Sequence, residues 1–421
     1  MERLMASIWG KGVILLLALI LAAGSLMDAL ASNWRLTRPN DALRLRPNDA
    51  FAIAFAEDIR ISGGTLTPQI AAAMAERART ALRSEPLTPA ALRQVGTAEA
   101  MANRPAQALR LFKLAHRVSR RELGTLVWLI DYSVSQGDGA AALARFDEAL
   151  STNELAADLL FAPLASAMFD PQLRTGLAVY LTAERPWMPD FLRYLLDDDE
   201  GRKYVSVMVR DAGGLPQTSD YDGIDGAILT SLARDKDFAA ARAYLLSVPG
   251  GPALLRESGV TATTAGDQYG PFGWRLSTQP GLEAYVRDER GLSVRVGRDR
   301  QGSVARRFML LPAGAYRLDR RFEAMTGAAA AETRWEISCI GAKGGSIWSD
   351  VVPGEAEPRA LRTRFVIPAG CAAQEFVLTA GGGRSEVDAE TEISDIVVQA
   401  DGRSVLDAPR PPEVSNAEGR E

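Results

Sequence analysis

Two stretches decide the fold: Pro105-Ala106-Gln107-Ala108-Leu109-Arg110-Leu111-Phe112-Lys113-Leu114-Ala115-His116 and Gly139-Ala140-Ala141-Ala142-Leu143-Ala144-Arg145-Phe146-Asp147-Glu148-Ala149-Leu150. They lie 34 residues apart and place Ala-Leu, Phe and Ala at the same positions. Ala81-Leu82 stands another 34 residues before Ala115, and Gly96 lies twelve before Ala108. Apolar residues at i, i+3 and i+4 make each stretch one face of a helix. A fixed period of this length marks stacked helix pairs, in which small residues let two helices approach and a large one fills the gap. The best copies are 89–122 and 123–156. A degenerate copy runs from Pro47, through an insertion at Gly63-Gly64, to Ser84. Further helices are expected over 155–169, 171–183, 188–210 and 223–247.

This pattern resembles the tetratricopeptide repeat. The resemblance implies an extended concave face that binds a peptide or protein, through polar residues on the first helix of each pair.

Towards the N-terminus, Val13–Met27 (VILLLALILAAGSLM) is an uncharged apolar run of fifteen, with Lys11 before it and Asp28 after it. A full span wants about twenty apolar residues. The run therefore reads as a membrane anchor over residues 9–31 or as a secretory signal cleaved after Ala29-Leu30-Ala31. Asp28, just before that cleavage position, favours the anchor. Arg3 and Lys11 flank one side; Arg35, Arg38, Arg44 and Arg46 follow on the other, so the charge count leaves orientation open.

Beyond Pro249-Gly250-Gly251-Pro252 the period changes. Leu292–Val296, Tyr316–Phe322, Trp335–Cys339 and Ile393–Val397 alternate apolar and polar, as half-buried strands do. Arg320 is the misfit on its apolar face. Short strands between Gly/Pro breaks predict an antiparallel sandwich. Trp335, on the face of Ile337 and Cys339, belongs to its core. Cys339 and Cys371 are expected to form a disulfide in an exported sandwich, whereas two buried free thiols would suit a cytosolic protein.

The fold class is thus multidomain: an all-α helical-repeat solenoid followed by an antiparallel, jelly-roll-like β-sandwich. The expected boundaries are an anchor or signal at 1–35, repeats at 36–250, the sandwich at 251–405 and a disordered, Pro-rich tail at 406–421.

An anchor, repeats and a terminal sandwich in this order resemble proteobacterial envelope proteins in which tetratricopeptide repeats precede a carbohydrate-binding-module-like domain. Pro271–Leu276, Leu311–Leu318, Arg334–Cys339 and Phe365–Gln374 carry the likeness. It implies an accessory role in surface-polysaccharide synthesis or export, at the inner membrane with the bulk of the chain in the periplasm. The implied partners are envelope or polysaccharide-assembly proteins and a surface glycan. Sugar rings stack on exposed aromatic faces, which makes Trp348, Trp274, Tyr269 and Phe272, at or near predicted loops, the candidate glycan contacts. Trp348 is the foremost of them.

Composition excludes much else. Among 421 residues are one histidine and two cysteines, which removes His-rich and multi-cysteine metal centres. A net charge of −5 argues against nucleic acid as a partner. No nucleophile elbow, phosphate loop or dinucleotide fingerprint occurs. His116 is expected at a helix end on the surface. The runs Asp197–Glu200 and Asp220–Gly226 lack the spacing of a calcium loop and read as solvated loops or helix starts. No catalytic residue, metal or cofactor is expected. The other classes compatible with the sequence are a polysaccharide hydrolase or lyase and a protein-only envelope adaptor.

Overall fold

A computed structural model describes residues 2–287, 291–326, 332–341, 345–352, 358–382 and 388–401. The expected disordered tail at 406–421 lies outside them. The chain divides into two compact units, Met1–Leu164 and Ala165–Glu421.

The first unit is helical: α1 (Glu2–Trp34), α2 (Pro39–Leu45), α3 (Ala50–Ile61), α4 (Pro68–Ser84), α5 (Pro89–Met101), α6 (Pro105–Val118), α7 (Leu123–Ser135) and α8 (Gly139–Thr152). Its helices start where the sequence supplies caps. Asp49, Thr67, Glu122 and Asp138 each accept a hydrogen bond from a first-turn amide, and proline opens α2, α4, α5 and α6. The pair α5–α6 recurs as α7–α8 with every boundary displaced by 34 residues. Phe112 fills the space that Gly96 leaves open. A Cβ on Gly96 would stand 3.0 Å from the phenyl ring, which also stacks on Trp128 at 3.9 Å. Arg93 bonds both Asp58 and Glu122, tying α3, α5 and the start of α7 together. His116 stands at the end of α6 as expected and is half-buried: its Nε2 lies 2.8 Å from Glu148 on α8 and 3.2 Å from Arg145, in a cluster that joins the two second helices. Along α1, residues Val13–Trp34 are long and apolar enough to cross a membrane.

After α9 (Ala156–Ser166), the second unit continues with α10 (Pro171–Thr182), α11 (Met188–Asp197), α12 (Arg202–Asp211), α13 (Ile224–Arg234), α14 (Phe238–Ser247) and α15 (Gly251–Arg256). The two long helices expected over 188–210 and 223–247 are each broken. Asp198 ends α11 and holds the turn before α12 by accepting from the Gly201 amide at 2.6 Å. Lys236 turns the chain with φ 58° before Asp237 caps α14. The acidic run therefore serves helix starts, with Asp199 paired to Arg202 and Glu200 to Lys203. In the second run, Asp225 accepts from the Tyr244 hydroxyl at 2.6 Å. Among the described residues, no group of three or more His, Cys, Asp or Glu side chains is placed to hold a metal ion.

The strands are β1 (Arg275–Leu276), β2 (Thr278–Gln279), β3 (Leu282–Val286), β4 (Leu292–Val296), β5 (Gln301–Met309), β6 (Gly314–Thr326), β7 (Glu332–Cys339), β8 (Ser346–Val352), β9 (Arg359–Ile367), β10 (Gln374–Gly381) and β11 (Ala389–Ala400). They form two antiparallel sheets, ordered β1-β5-β10-β7-β8 and β2-β3-β4-β11-β6-β9. One core between them is built from both, with Val294, Leu318, Trp335, Ile337, Phe376 and Ile393 fully buried or nearly so. Trp335 thus occupies its expected place. Cys339 and Cys371 are joined in a disulfide, their Cα atoms 5.6 Å apart, linking the end of β7 to the turn before β10.

Candidate functional site

Three of the four aromatic candidates are packing residues. Trp274 is wholly buried; its indole N–H donates to the carbonyls of Ser258 and Gly259 at 3.2 and 3.1 Å, and its ring lies 5.5 Å from Phe376. Phe272 is buried edge-on against Phe308. Tyr269 is buried with its hydroxyl donating to the Pro249 carbonyl at 2.9 Å, and burial pushes that phenol up. A sugar needs an open aromatic face, which none of these rings presents. The Gly- and Pro-rich segment Asp267–Trp274 looks like a surface loop by composition, yet it is a plug. Gly226 on α13 presents no side chain, so the backbone at Asp267 and Gly270 presses directly against that helix.

Trp348 lies on β8, an edge strand, opposite Ile337 in register, and its ring is half-buried against the core. It meets Phe365 at 5.9 Å and the Arg320 guanidinium at 5.4 Å. Arg320, the misfit of the sequence pattern, does point inward. It is 1% exposed, pairs with Asp350, and lies over Trp335 as well. Its Nε and Nη1 have no hydrogen-bond partner among the described residues. Burial pushes the guanidinium down, with Asp350 opposing. Trp348 therefore closes the sandwich edge over a buried cation.

The outer face of the six-stranded sheet is different. Strand alternation turns Tyr316, Leu318, Arg320 and Phe322 inward, so Arg317, Asp319, Arg321 and Glu323 face outward. Glu283 and Tyr285 on β3, Ser293 and Arg295 on β4, and Glu390 and Glu392 on β11 share that face by register. Tyr285 is 41% exposed and its hydroxyl donates to Glu390. The same carboxylate accepts from Ser293 Oγ at 3.0 Å and faces Arg295 at 3.6 Å. These partners, Tyr285 foremost, hold the Glu390 carboxyl below the usual range. Arg287 pairs with Glu392. Further across the sheet Asp319 accepts from Arg317 at 3.0 Å and Arg362 at 2.8 Å, while Arg317 also reaches Gln399 at 2.9 Å. Although burial opposes it, the two arginines draw the Asp319 carboxyl down.

From β3 to β9 this face is five strands wide, or about 19 Å. It sets one exposed aromatic ring beside fixed carboxylates and guanidiniums. A carboxylate has roughly four lone-pair sites and a guanidinium five N–H donors, so each retains capacity beyond its internal bonds. That chemistry suits a ligand dense in hydroxyl groups.

Tyr285 was missed by sequence reasoning, though a signal was present. In Leu282-Glu283-Ala284-Tyr285-Val286 the three apolar aliphatic positions define the inner face and leave Tyr285 outside.

No protein-family model and no curated protein matches the chain. Similar solved structures include a family 16 carbohydrate-binding module, 16% identical, covering 34% of this chain and 98% of its own, with a TM-score of 0.24. The N-terminal cellulose-binding domain of a Cellulomonas fimi β-1,4-glucanase is 18% identical over 35% of this chain and 97% of its own, with a TM-score of 0.24. A family 61 module solved with β-1,4-galactotriose is 16% identical, covering 30% and 88% respectively, with a TM-score of 0.23. At these scores the likenesses carry no weight in the functional reading.

Proposed function

We propose that this protein is a non-enzymatic, membrane-anchored scaffold whose sandwich binds glycan on the outer face of the six-stranded sheet and whose helical repeats, of tetratricopeptide type, bind a protein partner. The observation that carries the glycan reading is Tyr285, exposed and fixed through its hydroxyl on Glu390, beside the exposed guanidinium of Arg295. In this account α1 crosses the inner membrane once, and the rest of both units lies in the periplasm, where a Cys339–Cys371 bond persists. The role is accessory to the synthesis or export of a surface polysaccharide.

The test is native affinity electrophoresis of the full chain in neutral detergent, through gels containing the source cell's own surface polysaccharide, with the polymer stained for length. Wild type should be retarded with polymer intact, and Tyr285→Ala should lose most of the retardation. Trp348→Ala, which alters an inward-facing ring, should lose much less. Shortened polymer would overturn the non-enzymatic reading, and unretarded wild type would overturn the glycan reading for that polymer.

A further inference from the structure

The end of α1 carries a second, independent feature. From Val13 to Ala29 every residue is exposed; at Ala31 the helix becomes covered, because α2 lies against it with Pro39 and Ala42 buried. The uncharged apolar run Val13–Met27 is about 22 Å long at 1.5 Å per residue, against a hydrocarbon core of about 30 Å. The candidate span Val13–Trp34, about 33 Å at the same rise, continues past Asp28 to the residues that flank the headgroups. On the C-terminal side the flank is folded. Arg46, eighteen residues past Asp28 in sequence, returns to within 3.4 Å of the Asp28 carboxylate. This pair brings Arg46 level with the last apolar turn, and the turn and helix between, which run on from the end of α1, carry Arg35, Arg38 and Arg44 as well.

Carboxylates do not saturate this group. Asp28 pairs with Arg46 and Asp41 with Arg44, both pairs substantially exposed and hence weak. Asp49 is buried and spent on capping α3. Arg35 stacks over the Phe51 ring at 4.6 Å, and exposed Arg38 has no carboxylate partner among the described residues. Half-buried Trp34 ends α1 next to Arg35, and indole rings favour the membrane interface.

We propose that Arg35, Arg38, Arg44 and Arg46 form a headgroup site that binds the phosphates of anionic phospholipid around α1. This rests on the anchor reading above, and the site selects lipid by charge: phosphatidylglycerol over phosphatidylcholine. Each arginine near the surface contributes about a fivefold preference for the anionic lipid.

The experiment is native mass spectrometry of the full chain, delipidated in neutral detergent and titrated with phosphatidylglycerol or phosphatidylcholine. Wild type should retain phosphatidylglycerol at least tenfold better. A variant with all four arginines changed to Gln should lose that preference, while the four-Lys variant should keep it, showing that charge and not altered folding is responsible. Equal retention of the two lipids by wild type, or an undiminished preference in the Gln variant, would overturn the proposal. Displacement of the lipid by inorganic phosphate would also overturn it, identifying a simple anion site. Alkaline extraction of cell membranes separates the two readings. Release of wild type as a soluble protein refutes the anchor itself, whereas membrane-retained protein without lipid preference refutes only the headgroup site.

Discussion

Gly226→Ala is the most informative single change to the second unit, because two opposed effects of known size meet there. Gly226 lies inside α13, where alanine is favoured over glycine by about 0.8–1 kcal/mol. Yet a Cβ at this position would stand 2.0 Å from the Asp267 carbonyl oxygen and 3.2 Å from the Gly270 amide nitrogen. Ordinary contact begins near 3.4 Å, so one backbone must retreat by more than an ångström. No flexible side chain can yield in its place. The approach is reciprocal: Gly270 has φ 54°, and a Cβ there would lie 2.5 Å from the Gly226 carbonyl oxygen. Moving the segment also disturbs Phe272 and Trp274, both buried. Overpacking of this kind costs about 1–3 kcal/mol and occasionally more, and with backbone on both sides the upper end applies. The net loss should be about 2 kcal/mol, or roughly 4–8 °C in the Tm of a unit this size. Thermal unfolding of the full chain, followed by near-ultraviolet circular dichroism, measures it. An unchanged or raised Tm would show that the two backbones do not touch, and that the segment is the free loop its composition suggests.

The disulfide closes a separation of 32 residues, which corresponds to about 3.7 kcal/mol of unfolded-state entropy. The double change Cys339→Ser and Cys371→Ser should lower the sandwich transition by that order and remove its sensitivity to reductant; continued sensitivity would argue against the bond. Asp350→Ala should cost about 2–3 kcal/mol, discounted because Asp350 is 30% exposed, by leaving the Arg320 guanidinium buried without a partner. Adding Arg320→Met should restore most of that loss in denaturant titrations, and additive losses would refute the buried-pair account. Glu390 titrates below its ordinary value of about 4.3. Its stabilising contribution is therefore complete above that value and is lost as pH falls through the depressed folded one. Unfolding curves of wild type and Glu390→Gln should diverge above this window and converge below it; parallel curves would contradict the carboxylate's partners.

The repeats were legible because their constraint is local and periodic. Ala108, Phe112 and Ala115 return as Ala142, Phe146 and Ala149, and the helix boundaries follow the same offset. The later helices were misjudged in length since apolar rhythm continues through a tight turn. Only the turn that Asp198 holds through the Gly201 amide, and the positive φ of Lys236, end one helix and start the next. Strand alternation likewise showed the core position of Trp335 and even the anomaly of Arg320. It could not show that Asp350, thirty residues away, answers that charge.

The candidate site was less legible for the same reason. Tyr269, Phe272 and Trp274 sit among glycines and prolines, so composition places them outside, while the groups they pack on, Pro249, Phe308 and Phe376, are distant in sequence. Tyr285 gains its meaning only from Glu390, 105 residues further along, when β4 brings β3 and β11 to the same face. Pairings of that sequence separation leave no local trace.

The central claim, that glycan lies on the outer face of the six-stranded sheet, is tested most directly by hydroxyl-radical footprinting of the full chain with and without oligosaccharides cut from the surface polymer. Oxidation of Tyr285 should fall several-fold on binding while oxidation of Trp348 stays constant. Protection of Trp348 with Tyr285 unchanged would move the site to the sandwich edge and contradict the account.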